Sequence, residues 1–224
     1  MKIAIIPARS GSKRVKNKNI KNFNNKPMIA WPILAAKKSK LFDQVIVTTD
    51  SKKISRIAQK YGAMVPFLRS KKLSSNHIGI NEVINDVIKK NKLKKKIKFV
   101  CCIMATSPFL KFKNLILASK MIRKQKNDFV FSAVKISNKT LRSFTIDNRG
   151  ILKMINNKYY NVNSQNLKKT YLDAGQFYFG KKSSWIKKKM IYSKNSSIIE
   201  IPENSYTDID TPSDWKRAVE LIKK

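Results

Sequence analysis

Acidic residues, histidine and cysteine are all scarce in this chain. Its 224 residues include only 13 Asp and Glu, one His and two Cys. Cys101 and Cys102 are adjacent in an apolar run, so in a strand they face opposite sides and cannot form an ordinary two-cysteine metal site. We expect two buried thiols in a reducing compartment. A single histidine is more often structural than catalytic, and we interpret His77 in that way.

Long apolar runs are also missing. No stretch reaches the roughly 18 apolar residues of a membrane-spanning helix. The N-terminus enters a strand almost at once and lacks the pattern of a signal peptide, so we expect a cytoplasmic protein. A chain of this length with 42% hydrophobic residues suits one domain over residues 1–224.

The charge balance is strongly positive, with 49 Lys and Arg and a net charge of +36. Such a charge suggests a nucleic-acid or anionic-membrane partner. However, the surplus is mostly lysine, spread along the whole chain, and lysine, asparagine and isoleucine are abundant together, which indicates compositional drift. A non-enzymatic nucleic-acid-binding protein stays a distant alternative, because the chain has no aromatic-basic RNA motif and no basic heptad. We expect neither nucleic acid nor membrane as a partner.

Strands and helices alternate along the first two thirds of the chain, which favours an α/β fold with a mostly parallel sheet and helices on both faces. The predicted strands are 2–7, 44–48, 99–104, 129–134, 175–179 and 198–201. The predicted helices are 28–38, 51–61, one around 83–88, one around 115–122, and 212–222. Thr211 and Asp214 fit a capping box for the last helix.

The pattern loosens from residue 135 to about residue 170. This stretch is rich in asparagine and contains a possible hairpin around residues 148–150. We interpret it as an insertion in the domain.

The loop after the first strand has the composition of a phosphate site. Arg9 follows the strand directly, Ser10 to Ser12 allow close backbone approach, and Lys13 and Lys18 can neutralise a polyphosphate. Ligands bind at this edge of doubly wound sheets. The loop does not match the P-loop pattern, and a solvated basic loop remains the alternative. Arg14 and Lys16 are interpreted as bystanders.

Two further stretches carry polar groups. One is interpreted as an extended segment near the C-terminus, and the other follows the predicted strand 99–104. Asp208 and Asp210 alternate in an extended segment, so both carboxylates can converge on one Mg²⁺ together with substrate phosphates. The alternative is simple capping of the following helix, a role to which we assign Asp214. Residues 105–108 (ATSP) form either a turn or the lining of a base or sugar site.

Together these stretches resemble one enzyme family, the CMP-sugar synthetases that activate nine-carbon nonulosonic acids, and among them the pseudaminic acid cytidylyltransferases. The likeness rests on ARSGSKRVKNKNI (8–20), KPMIAWPI (26–33), SKLFDQVIVTTDS (39–51), ATSPFL (105–110), YLDAGQFYFG (171–180) and TDIDT (207–211). These stretches span nearly the whole chain. The DAGQFY sequence favours the pseudaminic branch.

The resemblance implies a Rossmann-like nucleotidyltransferase fold in which the loose segment at about 135–170 is a dimerisation arm of a homodimer. It implies a reaction of CTP with a sugar acid to give the CMP-sugar and pyrophosphate, with Mg²⁺ as cofactor. CMP-sialic acid and CMP-legionaminic acid synthetases remain alternatives. The sialic branch typically has a glutamine where Met104 stands, and the family often has an acidic residue where Asn76 and His77 stand. These departures concern the identity of the sugar more than the CTP chemistry.

The resemblance also assigns roles to individual positions. Catalytic residues are Arg9, Lys13, Lys18 and Asp210; nucleotide-binding residues are Arg9, Ser12, Lys13, Lys18, Asn19, Arg69, Ser75 and Thr106; Gln176 binds the substrate, and Asp208 and Asp210 bind the metal.

Overall fold

The computed structural model describes residues 1–12, 14–124 and 127–223, and its centre is a mixed β-sheet. The strands are β1 (Lys2–Pro7), β2 (Asn22–Phe23), β3 (Lys26–Pro27), β4 (Gln44–Thr48), β5 (Phe99–Ile103), β6 (Phe129–Ile136), β7 (Phe144–Ile146), β8 (Leu152–Met154), β9 (Thr170–Lys181) and β10 (Ser196–Ile201). The helices are α1 (Ala30–Lys38), α2 (Lys52–Lys60), α3 (Ile80–Lys90), α4 (Phe112–Lys124), α5 (Lys182–Ile186) and α6 (Pro212–Lys223). None of these helices, as far as the chain is described, is long and apolar enough to cross a membrane.

Among the described residues, six strands form the central sheet in the spatial order β10-β6-β9-β5-β1-β4. β1 pairs in parallel with β4 and β5, and β6 pairs in parallel with β10. β9 runs antiparallel to both of its neighbours, β5 and β6. The sheet is mostly parallel, as predicted, and the carboxyl ends of its parallel strands lie at the same edge as the first half of β9.

Apolar side chains cover both faces of this sheet, which confirms the predicted α/β arrangement. Ile6 and Cys101 belong to the core on one face, against which α1, α2 and α4 pack. Ile5 and Cys102 belong to the core on the other face, together with side chains of α3 and α5. Both thiols are fully buried, and burial raises the pKa of each. The two cysteines therefore lie on opposite faces, as their adjacent positions in a strand require.

The starts of α2 and α6 carry side-chain caps, and the sequence predicted the one at α6. At the start of α2, the backbone amide of Ile54 donates to Ser51 Oγ at 3.3 Å. At the start of α6, the amide of Thr211 donates to Asp214 Oδ2 at 2.7 Å and the amide of Asp214 donates to Thr211 Oγ1 at 3.2 Å. This reciprocal pair is a capping box, so the assignment of Asp214 to capping is confirmed.

Three local features differ from the sequence prediction. β9 begins at Thr170, five residues before the predicted start at Gly175. Its first residues pair with the end of β6 through the backbone, and they lack the apolar run by which a buried strand is predicted. The β2–β3 hairpin was not predicted; Asn24 and Asn25 form its turn with φ values of 47° and 64°, the left-handed region that short hairpin turns need. The short helix α5 was also missed.

The loose segment contains the predicted hairpin. β7 and β8 pair antiparallel, and Gly150 lies in the connecting turn with a φ of 81°. Several large apolar side chains of this segment are more than half exposed: Phe144, Ile146, Ile151, Leu152, Ile155 and Tyr160. The hairpin therefore presents an apolar surface that the described residues of this chain do not cover.

Candidate active site

A pocket of about 430 Å³ opens at the edge of the sheet where β1 and β5 end. Ala105 and Thr106 follow β5 and form one wall, and the loop after β1 forms the opposite wall. Asp210, from the segment before α6, lies at the rim. Six of the predicted site residues line this pocket: Arg9, Ser12, Lys18, Asn19, Thr106 and Asp210.

Neighbouring segments hold the loop after β1 in place. The backbone amide and the hydroxyl of Ser10 each donate to the carboxylate of Asp50 at 2.8 Å. The amide side chain of Asn19 donates to the backbone oxygen of Arg9 at 2.9 Å. The guanidinium of Arg9 donates to Asn76 Oδ1. These contacts tie Arg9, Ser10 and Asn19 to neighbouring segments at the pocket.

Two cations from this loop meet Asp210. Lys18 Nζ lies 3.2 Å from Oδ1 of Asp210 and also donates to the backbone oxygen of Ile209 at 2.5 Å. Arg14 Nη2 lies 2.9 Å from Oδ2 of Asp210. Arg14 also lines the pocket, so its interpretation as a bystander does not agree with the structure.

The segment that carries Asp208 and Asp210 lies directly before α6 and belongs to no helix or strand. Ile209 between them is buried with 1% of its surface exposed, and it packs against Phe23 and Trp215. Asp208 is exposed and Asp210 is partly exposed, so the two carboxylates flank a buried residue. Partial desolvation raises the pKa of the Asp208 carboxyl, and the negative charge of Asp210 raises it further as the second cause.

The donor set of this segment suits Mg²⁺. No group of three or more His, Cys, Asp or Glu side chains is placed to hold a metal within the described residues. Two carboxylates remain, and Mg²⁺ is commonly bound by one or two carboxylates with substrate phosphates completing its octahedron. Asp208 and Asp210 therefore fit a metal that arrives with a phosphate ligand.

A second pocket of about 240 Å³ adjoins the first and shares Pro7, Arg9, Asn76 and Met104 with it. The predicted residues Arg69 and Ser75 line it. Arg69 is only 5% exposed and its Nε donates to Ser74 Oγ at 3.1 Å. Burial lowers the pKa of its guanidinium, and the carboxylate of Asp50 opposes this effect.

A small cavity on the other side of Thr106 contains Gln176 and Asp208. Gln176 is 5% exposed; its Nε2 donates to the backbone oxygen of Ser205 at 2.9 Å, whereas its Oε1 has no hydrogen-bond partner among the described residues. Its backbone amide donates to the buried hydroxyl of Ser132 at 3.1 Å, where β9 bulges away from β6. Ser132 thus fixes the backbone of Gln176 at the pocket edge.

The structure brings together the predicted site residues that it describes, in three adjoining cavities. Lys13 lies outside the described residues. Sequence reasoning missed three residues in or beside the site: Arg14, Asp50 and Ser132. An available signal for Asp50 was its position two residues after the predicted strand 44–48 in a chain with few carboxylates. Ser132, inside a strand, gave no such signal.

The chain matches the family described as cytidylyltransferase over residues 3–209. Pseudaminic acid cytidylyltransferase of Campylobacter jejuni is 36% identical over 222 residues, which cover 99% of this chain and 96% of that protein. CMP-N,N'-diacetyllegionaminic acid synthase of Legionella pneumophila is 33% identical over 226 residues, which cover 99% and 96%.

A solved structure of CMP:2-keto-3-deoxy-manno-octonic acid synthetase complexed with CTP superposes with a TM-score of 0.76 at 15% identity, covering 99% of this chain and 98% of that one. At this identity the likeness shows a common fold. With the sequence match over residues 3–209 and the relatives above, it agrees with the nucleotidyltransferase fold predicted here. The chain belongs to the cytidylyltransferase family, a family of nucleotidyltransferases.

Proposed function

We propose that this enzyme joins CTP to a nonulosonic acid, pseudaminic acid first among the candidates, to give the CMP-sugar and pyrophosphate. The observation that carries the proposal is the meeting of Arg9, Lys18 and Asp210 in one pocket beyond the ends of β1 and β5. The name of the relative from Campylobacter jejuni supports the choice of pseudaminic acid. Family membership favours this enzymatic role over the nucleic-acid-binding alternative.

In this reaction the anomeric hydroxyl oxygen of the sugar acid bonds to the α-phosphorus of CTP. The bond from that phosphorus to the β-phosphate oxygen breaks, pyrophosphate leaves, and the hydroxyl proton passes to solvent. Arg9 and Lys18 would neutralise the charge that develops on the phosphates. Asp208 and Asp210 would hold Mg²⁺, which supplies Lewis-acid stabilisation of the phosphate oxygens when bound. Catalytic and phosphate roles for Lys13 remain predictions.

The remaining predicted residues fall into three groups by their cavities. Ser12, Asn19 and Thr106 line the main pocket, and Arg69 and Ser75 line its neighbour, so we assign both groups to the nucleotide. We assign Gln176 to the sugar acid, because it lines the same cavity as Asp208 and Thr106 and its Oε1 has no hydrogen-bond partner within the part of the chain that the structure describes. A buried amide oxygen without a partner is costly, and a sugar hydroxyl or amide could satisfy it.

We further propose that the segment at about 135–170 forms a homodimer by covering its apolar hairpin with the same segment of a second copy. The exposed side chains of β7 and β8 support this proposal. Contiguous exposed apolar surface is typical of interaction sites. A single catalytic domain over residues 1–224 and a cytoplasmic location also remain predictions.

The test is a pyrophosphate-release assay with Mg²⁺. CTP, ATP, GTP and UTP are each combined with pseudaminic, legionaminic and N-acetylneuraminic acids. We expect release with CTP, and the largest kcat/KM with pseudaminic acid. A larger kcat/KM with legionaminic acid would replace the sugar assignment while keeping the nucleotide. No release with any pair would contradict the proposed function.

The metal assignment is tested with Asp210→Ala. We expect no measurable turnover from a folded protein, because the variant lacks a carboxylate of the metal pair. Asp86→Ala is the matched control, since it also removes one carboxylate but lies on α3, where Asp86 pairs with Lys90. An active Asp210→Ala enzyme would contradict the assignment of Asp210.

A further inference from the structure

The Asp210 carboxylate has a cation on each of its oxygens. Arg14 Nη2 lies 2.9 Å from Oδ2, and Lys18 Nζ lies 3.2 Å from Oδ1. Both cations come from the loop after β1 and both line the main pocket. The oxygens that a metal would use are therefore already paired.

The two cations differ in how firmly they are held. Lys18 has 17% of its side chain exposed and makes a further hydrogen bond to the backbone oxygen of Ile209. Arg14 has 65% of its side chain exposed, and the carboxylate of Asp210 is its ion-pair partner among the described residues. Arg14 is therefore the partner that can leave Asp210 at lower cost.

Without a nucleotide, a divalent cation that approaches Asp210 meets the positive groups of Arg14 and Lys18 and must displace at least one of them. A triphosphate in the same pocket changes this situation, because its oxygens offer the guanidinium a bidentate partner and the ammonium a second anion. The carboxylate is then released for the metal, while the phosphates supply further metal ligands.

We infer that Arg14 makes metal binding at Asp210 conditional on the nucleotide. In the free enzyme Arg14, assisted by Lys18, occupies the carboxylate; when the nucleotide binds, Arg14 moves to its phosphates and Asp210 becomes available to the metal. The inference rests on the proposed function, since it assumes a nucleotide triphosphate in this pocket. Because such coupling is reciprocal, the metal strengthens nucleotide binding by the same factor.

The test measures binding of Mn²⁺ alone, as a paramagnetic substitute for Mg²⁺, by the loss of its free EPR signal. In the absence of nucleotide, we expect Arg14→Gln to bind Mn²⁺ about tenfold more tightly than the wild type, within the range typical of coupling between sites. Lys16→Gln is the matched control, because it removes one positive charge from the same loop at an exposed position. We expect it to bind Mn²⁺ as the wild type does.

A double variant, Arg14→Gln with Asp210→Asn, locates the effect. It should lose the gain in affinity if that gain arises at Asp210. Arg14→Gln that binds Mn²⁺ no more tightly than Lys16→Gln, or a gain that survives in the double variant, would overturn the inference. The Mn²⁺ measurement needs no turnover. A failed pyrophosphate-release assay would therefore reject the proposed function without deciding whether Arg14 controls metal binding.

Discussion

At the scale of single residues, three carboxylates hold segments in or beside the site in place. Asp50 accepts two hydrogen bonds from Ser10, and Asp214 caps α6. Asp210 pairs with two cations of the loop after β1. In a chain of net charge +36, each such carboxylate lowers the repulsion among neighbouring basic groups as well as forming its hydrogen bonds.

Asp50→Ala should raise the KM for CTP about tenfold with a smaller effect on kcat. The variant removes both hydrogen bonds that hold Ser10. A hydrogen bond to a charged group contributes about 1.5–3 kcal/mol. A loss of about 1.4 kcal/mol in binding free energy already weakens affinity tenfold. Steady-state kinetics of CTP at saturating sugar acid measure the effect.

Asp43→Ala is the control for this experiment. Asp43 Oδ2 also accepts a backbone amide, that of Lys2 at 2.7 Å, but at the edge of the sheet opposite the pocket. An unchanged KM in Asp50→Ala, or an equal rise in Asp43→Ala, would contradict a role of Asp50 in ordering the loop.

At the scale of elements, a third hydrophobic core, separate from those on the two faces of the sheet, packs together segments that line the site. Phe23 in β2 is fully buried and makes edge-to-face contacts with Trp31, Phe109 and Trp215, at centroid distances of 6.4, 6.2 and 5.5 Å. The same core contains Val15 from the pocket loop and Ile209 from the carboxylate segment. Trp31 and Trp215 therefore pack in a core that joins three segments lining the site.

Phe23→Leu should raise the Mg²⁺ concentration for half-maximal rate several-fold. The smaller side chain loosens the packing of Ile209, and with it the position of the carboxylates on either side. The loss of an edge-to-face cluster also costs about 1–2 kcal/mol of unfolding free energy. Urea unfolding and a Mg²⁺ titration of the rate measure the two effects separately.

Phe129→Leu provides the comparison, because Phe129 is also fully buried and meets Trp185 edge to face at 5.1 Å, in the core packed against α3 and α5. It should lose similar stability with no change in the Mg²⁺ requirement. Equal Mg²⁺ requirements in the two variants would show that Phe23 contributes stability alone.

At the scale of the whole molecule, charge and apolar surface oppose each other in the proposed dimer. Each copy carries +36, so association has to overcome mutual repulsion that salt screens. The exposed apolar side chains of the hairpin segment provide the attraction. We therefore expect dimerisation to strengthen as salt rises from low concentration.

Ile155→Lys should shift the protein from dimer to monomer, because Ile155 is 69% exposed in the hairpin segment and the change adds a charge to the proposed interface. Analytical ultracentrifugation at low and moderate salt measures the shift. Met190→Lys is the matched control, since Met190 is 74% exposed but lies outside the segment. A dimer unaffected by Ile155→Lys, or a wild-type monomer at both salt concentrations, would contradict the proposed arm.

Periodicity and local chemistry were sufficient to predict the alternation of strands and helices, the opposite faces of Cys101 and Cys102, and the capping box of α6. Each of these depends on residues a few positions apart, for which backbone geometry alone decides the outcome. The alternation of Asp208 and Asp210 around a buried Ile209 belongs to the same group. The resemblance in short motifs predicted the enzyme family, and the match to the cytidylyltransferase family over residues 3–209 confirms it.

Only the tertiary structure decided the antiparallel direction of β9 and the contacts that complete the site. Ser10 and Asp50 are 40 positions apart, and Lys18 and Asp210 are 192 positions apart. Such pairs meet because the order of strands brings distant loops to one edge of the sheet, and many strand orders are compatible with the same local pattern. In the sequence Arg14 is one basic residue among many, and only the chain path places Asp210 beside it. The partner of a charge depends on distance in space and not on distance along the chain.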